Sequence, residues 1–190
     1  MNEILPEAAW HIAEQTLAES LPRRWAHSQG VARQAGRLAP VLGPDAPLLA
    51  SAAVLHDVGY APELAVTGFH PLDGARNLRD VHRADDRLTR LVANHSFALL
   101  EADLRGIRPF LESEFPLLED QVLVDALVYC DMTTTPDGEP TTSQQRITEI
   151  TGRYGGDSVV GRFIRQAEPL IHTAVARTED RIAVAAVQPR

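Results

Sequence analysis

Residues 48–60 read LLASAAVLHDVGY. Apolar and small side chains fill the run up to Leu55, and the ionisable pair His56–Asp57 follows just before Gly59. Asp45 stands where an N-cap belongs and Gly59 where a helix ends, so the spacing predicts a helix from about Asp45 to Gly59. That helix carries a histidine and a carboxylate at its C-terminal end, and the rest of the chain has to account for them.

Working outward, the chain reads as helices punctuated by proline and glycine, with little that resembles a strand. Pro6 suits the first turn of a helix over 6–21, and Pro22 opens a second that stops at Gly43–Pro44. APELAVTGF is a connection, and His70–Pro71 opens a helix through PLDGARNLRDV. Asp85 caps a long helix through DRLTRLVANHSFALLEADL, and a short RPFLESEF segment leads to a helix from about Leu117 to Met132. TTTPDGEPTT is the longest polar, turn-rich stretch. Helices follow at about 143–154 and 158–187, the latter broken near Pro169. No linker or internal repeat divides the chain. The expectation is therefore an all-α single domain over 1–190, with its motifs within about 22–135 and C-terminal helices over 142–187.

Helical spacing places several ionisable residues where core residues belong. His95 aligns with Leu88, Leu91, Val92 and Leu99, and Asp131 with Val124, Leu127 and Val128. His27 shares a stripe with Val31, Ala35 and Leu38, and His56 shares one with Leu49, Ala52 and Ala53. A buried carboxylate such as Asp131 is costly unless a cation or several donors meet it. Taken singly, an inward histidine is commonly a hydrogen-bonded core residue. Taken together, these residues are explained by a metal cluster, because neutral imidazole and carboxylate are ligands for Zn, Fe or Mn. His11, His82 and His172 are assigned to surface or packing roles.

Composition narrows the chemistry. The chain has 190 residues, 44% hydrophobic and 23% charged, which is enough for one substantial core. A net charge of -8 argues against a nucleic-acid backbone as the main partner. All 18 basic residues are arginine, which rules out lysine-based chemistry. The lone Cys130 excludes an intrachain disulfide and a Cys-rich zinc site, and it reads as a small core residue. Neither a secretory signal nor a run long enough to span a membrane is visible, so a cytoplasmic location with no membrane partner is expected.

His56–Asp57 in VLHDVGY resembles the signature of the HD superfamily. His27 in RRWAHSQGVARQAGRLA resembles the Arg-x-x-His-Ser opening helix of small bacterial HD proteins, and Asp131 in DALVYCDM matches the last ligand of that pattern. His70 in GFHPLDGARNL and His95 in LVANHS complete the order His, His-Asp, His, His, Asp, which resembles the HD subset holding two metals. Within it, the chain is most similar to small bacterial dinucleoside polyphosphate hydrolases. The similarity spans roughly residues 22–135.

That resemblance implies an HD-type helical bundle in which His27, His56, Asp57 and Asp131 hold one divalent metal. Asp57 bridges to a second metal held by His70 and His95. Mixed imidazole and carboxylate ligands favour Fe or Mn, with Zn, Co, Ni or Mg as alternatives. Two metals about 3.5–4 Å apart activate a hydroxide that attacks phosphorus. The implied function is hydrolysis of a phosphate ester or anhydride, with a nucleotide as the expected small-molecule partner. Asp57, His70 and His95 are the catalytic candidates; with only one metal bound, His70 or His95 orients substrate or protonates the leaving group. Arg24 and Arg146 are candidate phosphate clamps, with an exposed helical arginine as the plain alternative for each. Tyr60 and Phe69 either shape the pocket or belong to the core. Two rival functions are a di-iron HD-type oxygenase acting on a small molecule and a non-catalytic nucleotide- or effector-binding module. A homodimer is compatible with the sequence.

Overall fold

The computed structural model describes residues 3–187. In chain order the helices are α1 (Pro6–Leu17), α2 (Pro22–Arg37), α3 (Ala39–Leu42), α4 (Ala46–Leu55), α5 (His70–Asp80) and α6 (Asp86–Asn94). They continue with α7 (Ala98–Leu104), α8 (Arg108–Glu114), α9 (Gln121–Met132), α10 (Ser143–Tyr154) and α11 (Val159–Val187). Among the described residues there is no strand; one isolated antiparallel bridge joins Thr134 to Pro140. The fold is an all-α bundle, as the spacing of apolar residues predicts. No single helix among the described residues is long and apolar enough to cross a membrane.

Two helices organise the interior. α4 packs against α1, α2 and α9, and its residues from Ser51 to Leu55 are all buried. α9 lies between two apolar clusters. Leu123, Ala126, Leu127 and Cys130 face the first, which includes Leu49, Phe69, Leu88 and Phe115. Val128 and Met132 face the second, built with Ile147, Phe163, Ile164, Ala167 and Ile171 of α10 and α11. A helix buried on both sides cannot show a single apolar stripe, which is why Asp131 can sit in α9 without marking a wet face. Cys130 belongs to this interior, where burial and the neighbouring Asp131 push its thiol pKa up.

Side-chain caps fix the start of three helices. Asp85 accepts from the Leu88 amide, Asp120 accepts from the Leu123 amide, and Thr142 with Gln145 forms a reciprocal capping box at α10. Asp45 stands at the cap position of α4 but makes no cap bond; it accepts from Arg87 at 2.8 Å instead.

Several boundaries differ from the sequence reading: the first helix ends at Leu17 rather than Leu21, and the second ends at Arg37, with α3 as a separate turn before Gly43. The apolar helix ends at Leu55, so His56 and Asp57 lie just past it, ahead of a 3-10 turn at Val58–Tyr60. The long helix expected after Asp85 breaks at His95–Phe97, where Ser96 (φ 49°, ψ 38°) and Phe97 (φ 64°, ψ 35°) are left-handed. RPFLESEF is largely helical, and α9 begins at Gln121, after the Pro116 stretch. α11 runs unbroken through Pro169, even though proline removes the bond to the carbonyl four residues back and crowds it. Pro169 is exposed while Ala167 and Ile171 beside it are buried, so packing of the opposite face holds the helix across the defect.

Because an interior proline costs a helix up to about 3 kcal/mol, Pro169→Ala is expected to raise unfolding stability by about 1–3 kcal/mol. Urea denaturation checks this; lower stability in the variant would show that α11 depends on the proline.

Candidate metal centre

Three of the four histidines of the expected set are positioned by a backbone contact. His27, in the middle of α2, has Nδ1 2.9 Å from the carbonyl oxygen of Thr135. His56 Nδ1 lies 2.8 Å from the Ala53 carbonyl, and His95 Nδ1 lies 2.7 Å from the Val92 carbonyl. A carbonyl oxygen only accepts, so in each ring Nδ1 carries a proton and donates, which leaves Nε2 facing inward with its lone pair. This is the arrangement in which a histidine ligates through Nε2 while its other nitrogen fixes the ring.

The inward atoms converge on two carboxylates. Asp131 Oδ1 lies 3.1 Å from His27 Nε2 and 3.9 Å from His56 Nε2. Asp57 divides its two oxygens: Oδ2 is 3.3 Å from His56 Nε2 and 4.0 Å from His27 Nε2, while Oδ1 is 3.3 Å from His70 Nε2 and 3.9 Å from His95 Nε2. His70 and His95 meet Nε2 to Nε2 at 3.1 Å. Two ligands each about 2.1 Å from one ion stand at most about 4.2 Å apart, and every one of these separations falls within that limit. The donors form two groups, His27, His56 and Asp57 on one side and Asp57, His70 and His95 on the other. Asp131 joins the first group through its contacts with His27 and His56.

The electrostatics fit a cation. His56 Nε2 is buried and has no hydrogen-bond partner. Burial pulls the His56 pKa down, but Asp57 and Asp131 outweigh it and raise the value, so their field draws positive charge to this nitrogen. Burial works to raise both carboxylates, yet Arg24 and His56 hold Asp57 well below the ordinary range, and the His27 and His56 imidazoles beside it do the same for Asp131. Burial takes His70 down to about 3 and lowers His95, so both are neutral imidazoles available as ligands. Acceptor atoms crowded in a buried space repel one another unless a cation lies among them, and this donor set suits a divalent metal.

Three backbone features hold the cluster. A Cβ on Gly30 would lie 2.4 Å from the Gly138 carbonyl oxygen, and one on Gly138 (φ +84°) would lie 2.3 Å from that of Ala26. These glycines let the loop after α9 press against α2, which brings Thr135 to His27. Gly59 does the same for His70: a Cβ there would stand 2.0 Å from the His70 carbonyl oxygen and 2.5 Å from the Gly74 amide. The left-handed Ser96 turns its hydroxyl to donate to Asp131 Oδ2 at 2.5 Å. Non-glycine residues in this region are strained, and nothing in helical periodicity would have singled out Ser96.

The two arginines singled out in the sequence lie at the same cavity, and neither is an exposed helical residue. Arg24 donates to Asp57 Oδ2 at 2.8 Å and lies 3.9 Å over the Tyr60 ring, which itself stacks on His70 at 3.8 Å. Arg146, from α10, is only 6% exposed and lines the cavity with a partnerless buried Nε. Tyr60 belongs to the cavity and Phe69 to the core. Arg153, Tyr154 and Phe163 also line the cavity; they stand far along the chain from every motif, so no spacing rule points to them. Asp137 pairs with Arg23 at the surface, and Glu139 is exposed. His11, His82 and His172 lie outside the cluster.

A helical bundle enclosing a shared His/Asp cluster of this order defines a metal-binding class of protein. The chain belongs to the HD domain family, whose profile matches residues 24–133, more than half of the chain. It is also similar to ribonuclease Y of Thermoanaerobacter pseudethanolicus, 37% identical over 70 residues, which cover 37% of this chain and 14% of that protein. The match therefore spans a small part of the relative. No solved structure matches.

Gly59→Ala is expected to push the start of α5 away and to lower bound metal to about half of the wild-type content or less, with His27 and His56 retaining the remainder. The control is Gly36→Ala, where a Cβ meets nothing within 4 Å and should leave the metal content unchanged. Elemental analysis of both proteins, purified without chelator, checks this.

Proposed function

We propose that the chain is a metal-dependent phosphohydrolase that cleaves a phosphate ester or anhydride of a small molecule, with a nucleotide as the favoured class. The observation that carries this reading is the division of Asp57, whose two oxygens serve different histidine groups. A carboxylate so placed could bridge two cations, one of which would be held by His27, His56, Asp57 and Asp131 and the other by Asp57, His70 and His95. When bound, such a pair supplies a hydrolytic nucleophile at neutral pH and neutralises charge on the phosphoryl group. Fe or Mn suits the mixed imidazole and carboxylate donors best.

The chain's own residues do the rest. Nδ1 anchoring of His27, His56 and His95 fixes the donor geometry before anything binds. Arg24 and Arg146 bring guanidinium groups to the same cavity, where phosphoryl transfer calls for positioning and charge neutralisation more than covalent help. With a single metal, His70 or His95 would orient substrate or serve the leaving group instead. Dinucleoside polyphosphates are one candidate substrate within this class. A nucleic-acid substrate, which the name of the ribonuclease Y relative brings to mind, is disfavoured by the net charge of -8.

The test is metal content together with turnover. Wild-type protein is expected to retain about two Fe or Mn per chain, and chelation should abolish phosphate release from a nucleotide and phosphate-ester panel. Asp57→Ala should lose both metals and at least about a hundredfold in activity. Turnover supported by redox-silent Zn or Mn agrees with hydrolysis. A strict need for iron and oxygen would replace hydrolysis with oxidative chemistry, and the absence of metal after reconstitution would sink the mechanism.

A further inference from the structure

The residues matched by the HD family profile end at 133, yet one wall of the cavity at the candidate metal centre comes from beyond that point. Ile150 and Tyr154 of α10, and Val160, Phe163 and Ile164 of α11, form that wall and are mostly apolar. Arg146 sits at its polar edge. Its side chain is 6% exposed, NH1 is occupied by Glu149 at 2.5 Å, and Nε has no partner. An unmet guanidinium N–H at this depth is costly and calls for an acceptor.

Two of the three tyrosines, Tyr60 and Tyr154, line this cavity. Tyr60 is already engaged with His70 at 3.8 Å and Arg24 at 3.9 Å. Tyr154 is 40% exposed, and its nearest cationic neighbour, Arg153, is 5.5 Å from the ring. The aromatic surface left for a ligand is therefore that of Tyr154 in α10 and Phe163 in α11. The enclosed space is about 90 Å³, small beside the roughly 300–1,000 Å³ of sites that bury a drug-sized molecule. Its apolar wall suits a single ring lying beside a phosphoryl group.

We propose that α10 and α11 form a specificity subsite for a phosphate monoester carrying a single aromatic ring, with Arg146 on the phosphoryl oxygens and Tyr154 and Phe163 against the ring. This rests on the phosphohydrolase reading of the metal centre and narrows its substrate class. The polar edge and apolar wall divide the labour. Arg146 contributes to binding any phosphoryl group, whereas Tyr154 and Phe163 favour only those that carry a ring.

Calorimetric titration of manganese-loaded protein with phenylphosphonate and methylphosphonate tests the subsite. The two share a head group, differ in the ring, and have no ester bond to hydrolyse. Phenylphosphonate is expected to bind between about fivefold and a hundredfold tighter, the range that ring stacking on an aromatic side chain supplies. Tyr154→Ala, at a half-exposed position that tolerates truncation, should erase most of that difference and leave methylphosphonate unchanged. Arg146→Ala should weaken both ligands together. Equal affinity for the two phosphonates, or equal weakening of both by Tyr154→Ala, would overturn the subsite. If this binding order holds while no ester is hydrolysed with any metal, the subsite stands and the phosphohydrolase reading fails. If esters are hydrolysed but the ring confers no preference, the subsite alone fails.

Discussion

Two buried carboxylates, Asp57 at 3% exposure and Asp131 at 7%, impose the main constraint on this protein. An ionised carboxylate out of water is stable only where cations or donors surround it. Here the surroundings come from distant parts of the chain: Arg24 and His27 from α2, His56 from the end of α4, His70 from the start of α5, and Ser96 from the break after α6. Folding must bring these together or leave charge stranded. The cluster thus ties α2, α4, α5, α6 and α9 to one point, in addition to the apolar contacts between them.

The supports of the cluster show where the fold gives up local preference for geometry. Three imidazoles spend Nδ1 on carbonyl oxygens, which fixes both the ring and its tautomer. Gly59 and Gly138 exist as glycines because backbone passes within the space a side chain would fill. Ser96 and Phe97 adopt a conformation that costs a non-glycine residue about 1–3 kcal/mol. In return, the chain turns just after His95, and the serine hydroxyl meets Asp131. Strain is concentrated at the site rather than spread through the bundle.

The division of the interior into two apolar clusters also has a functional side. The first cluster holds α1–α9 and presents the candidate ligand atoms, whereas the second binds α10 and α11 to the far side of α9. Met132, next to Asp131, belongs to the second cluster and lines the cavity. The C-terminal helices are therefore attached directly behind the last candidate ligand. Residues beyond the family-matched segment reach the cavity by packing on α9, so they can vary its wall without moving the cluster.

Much of this was legible in order along the chain. Helix content, the ligand-type residues His27, His56, Asp57, His70, His95 and Asp131, and the cap at Asp85 follow from local chemistry and from apolar spacing, which act over a few residues. The family resemblance lay in the same short motifs. The helix-stripe arguments for His56 and His95 pointed inward correctly although both residues stand just past a helix end, because a chain leaving a buried helix is still buried. The bend at Ser96, the continuity of α11 through Pro169, and the meeting of Arg146, Tyr154 and Phe163 with residues more than fifty positions earlier were not legible. Each depends on which surfaces pack together, and that is settled by long-range burial. The sequence by itself determined which groups need compensating partners once buried, because burying a carboxylate among imidazoles has a cost fixed by chemistry. Only the tertiary structure decided which oxygen of Asp57 faces which pair of histidines and that α10 and α11 close the cavity, because those relations exist only once the helices have packed.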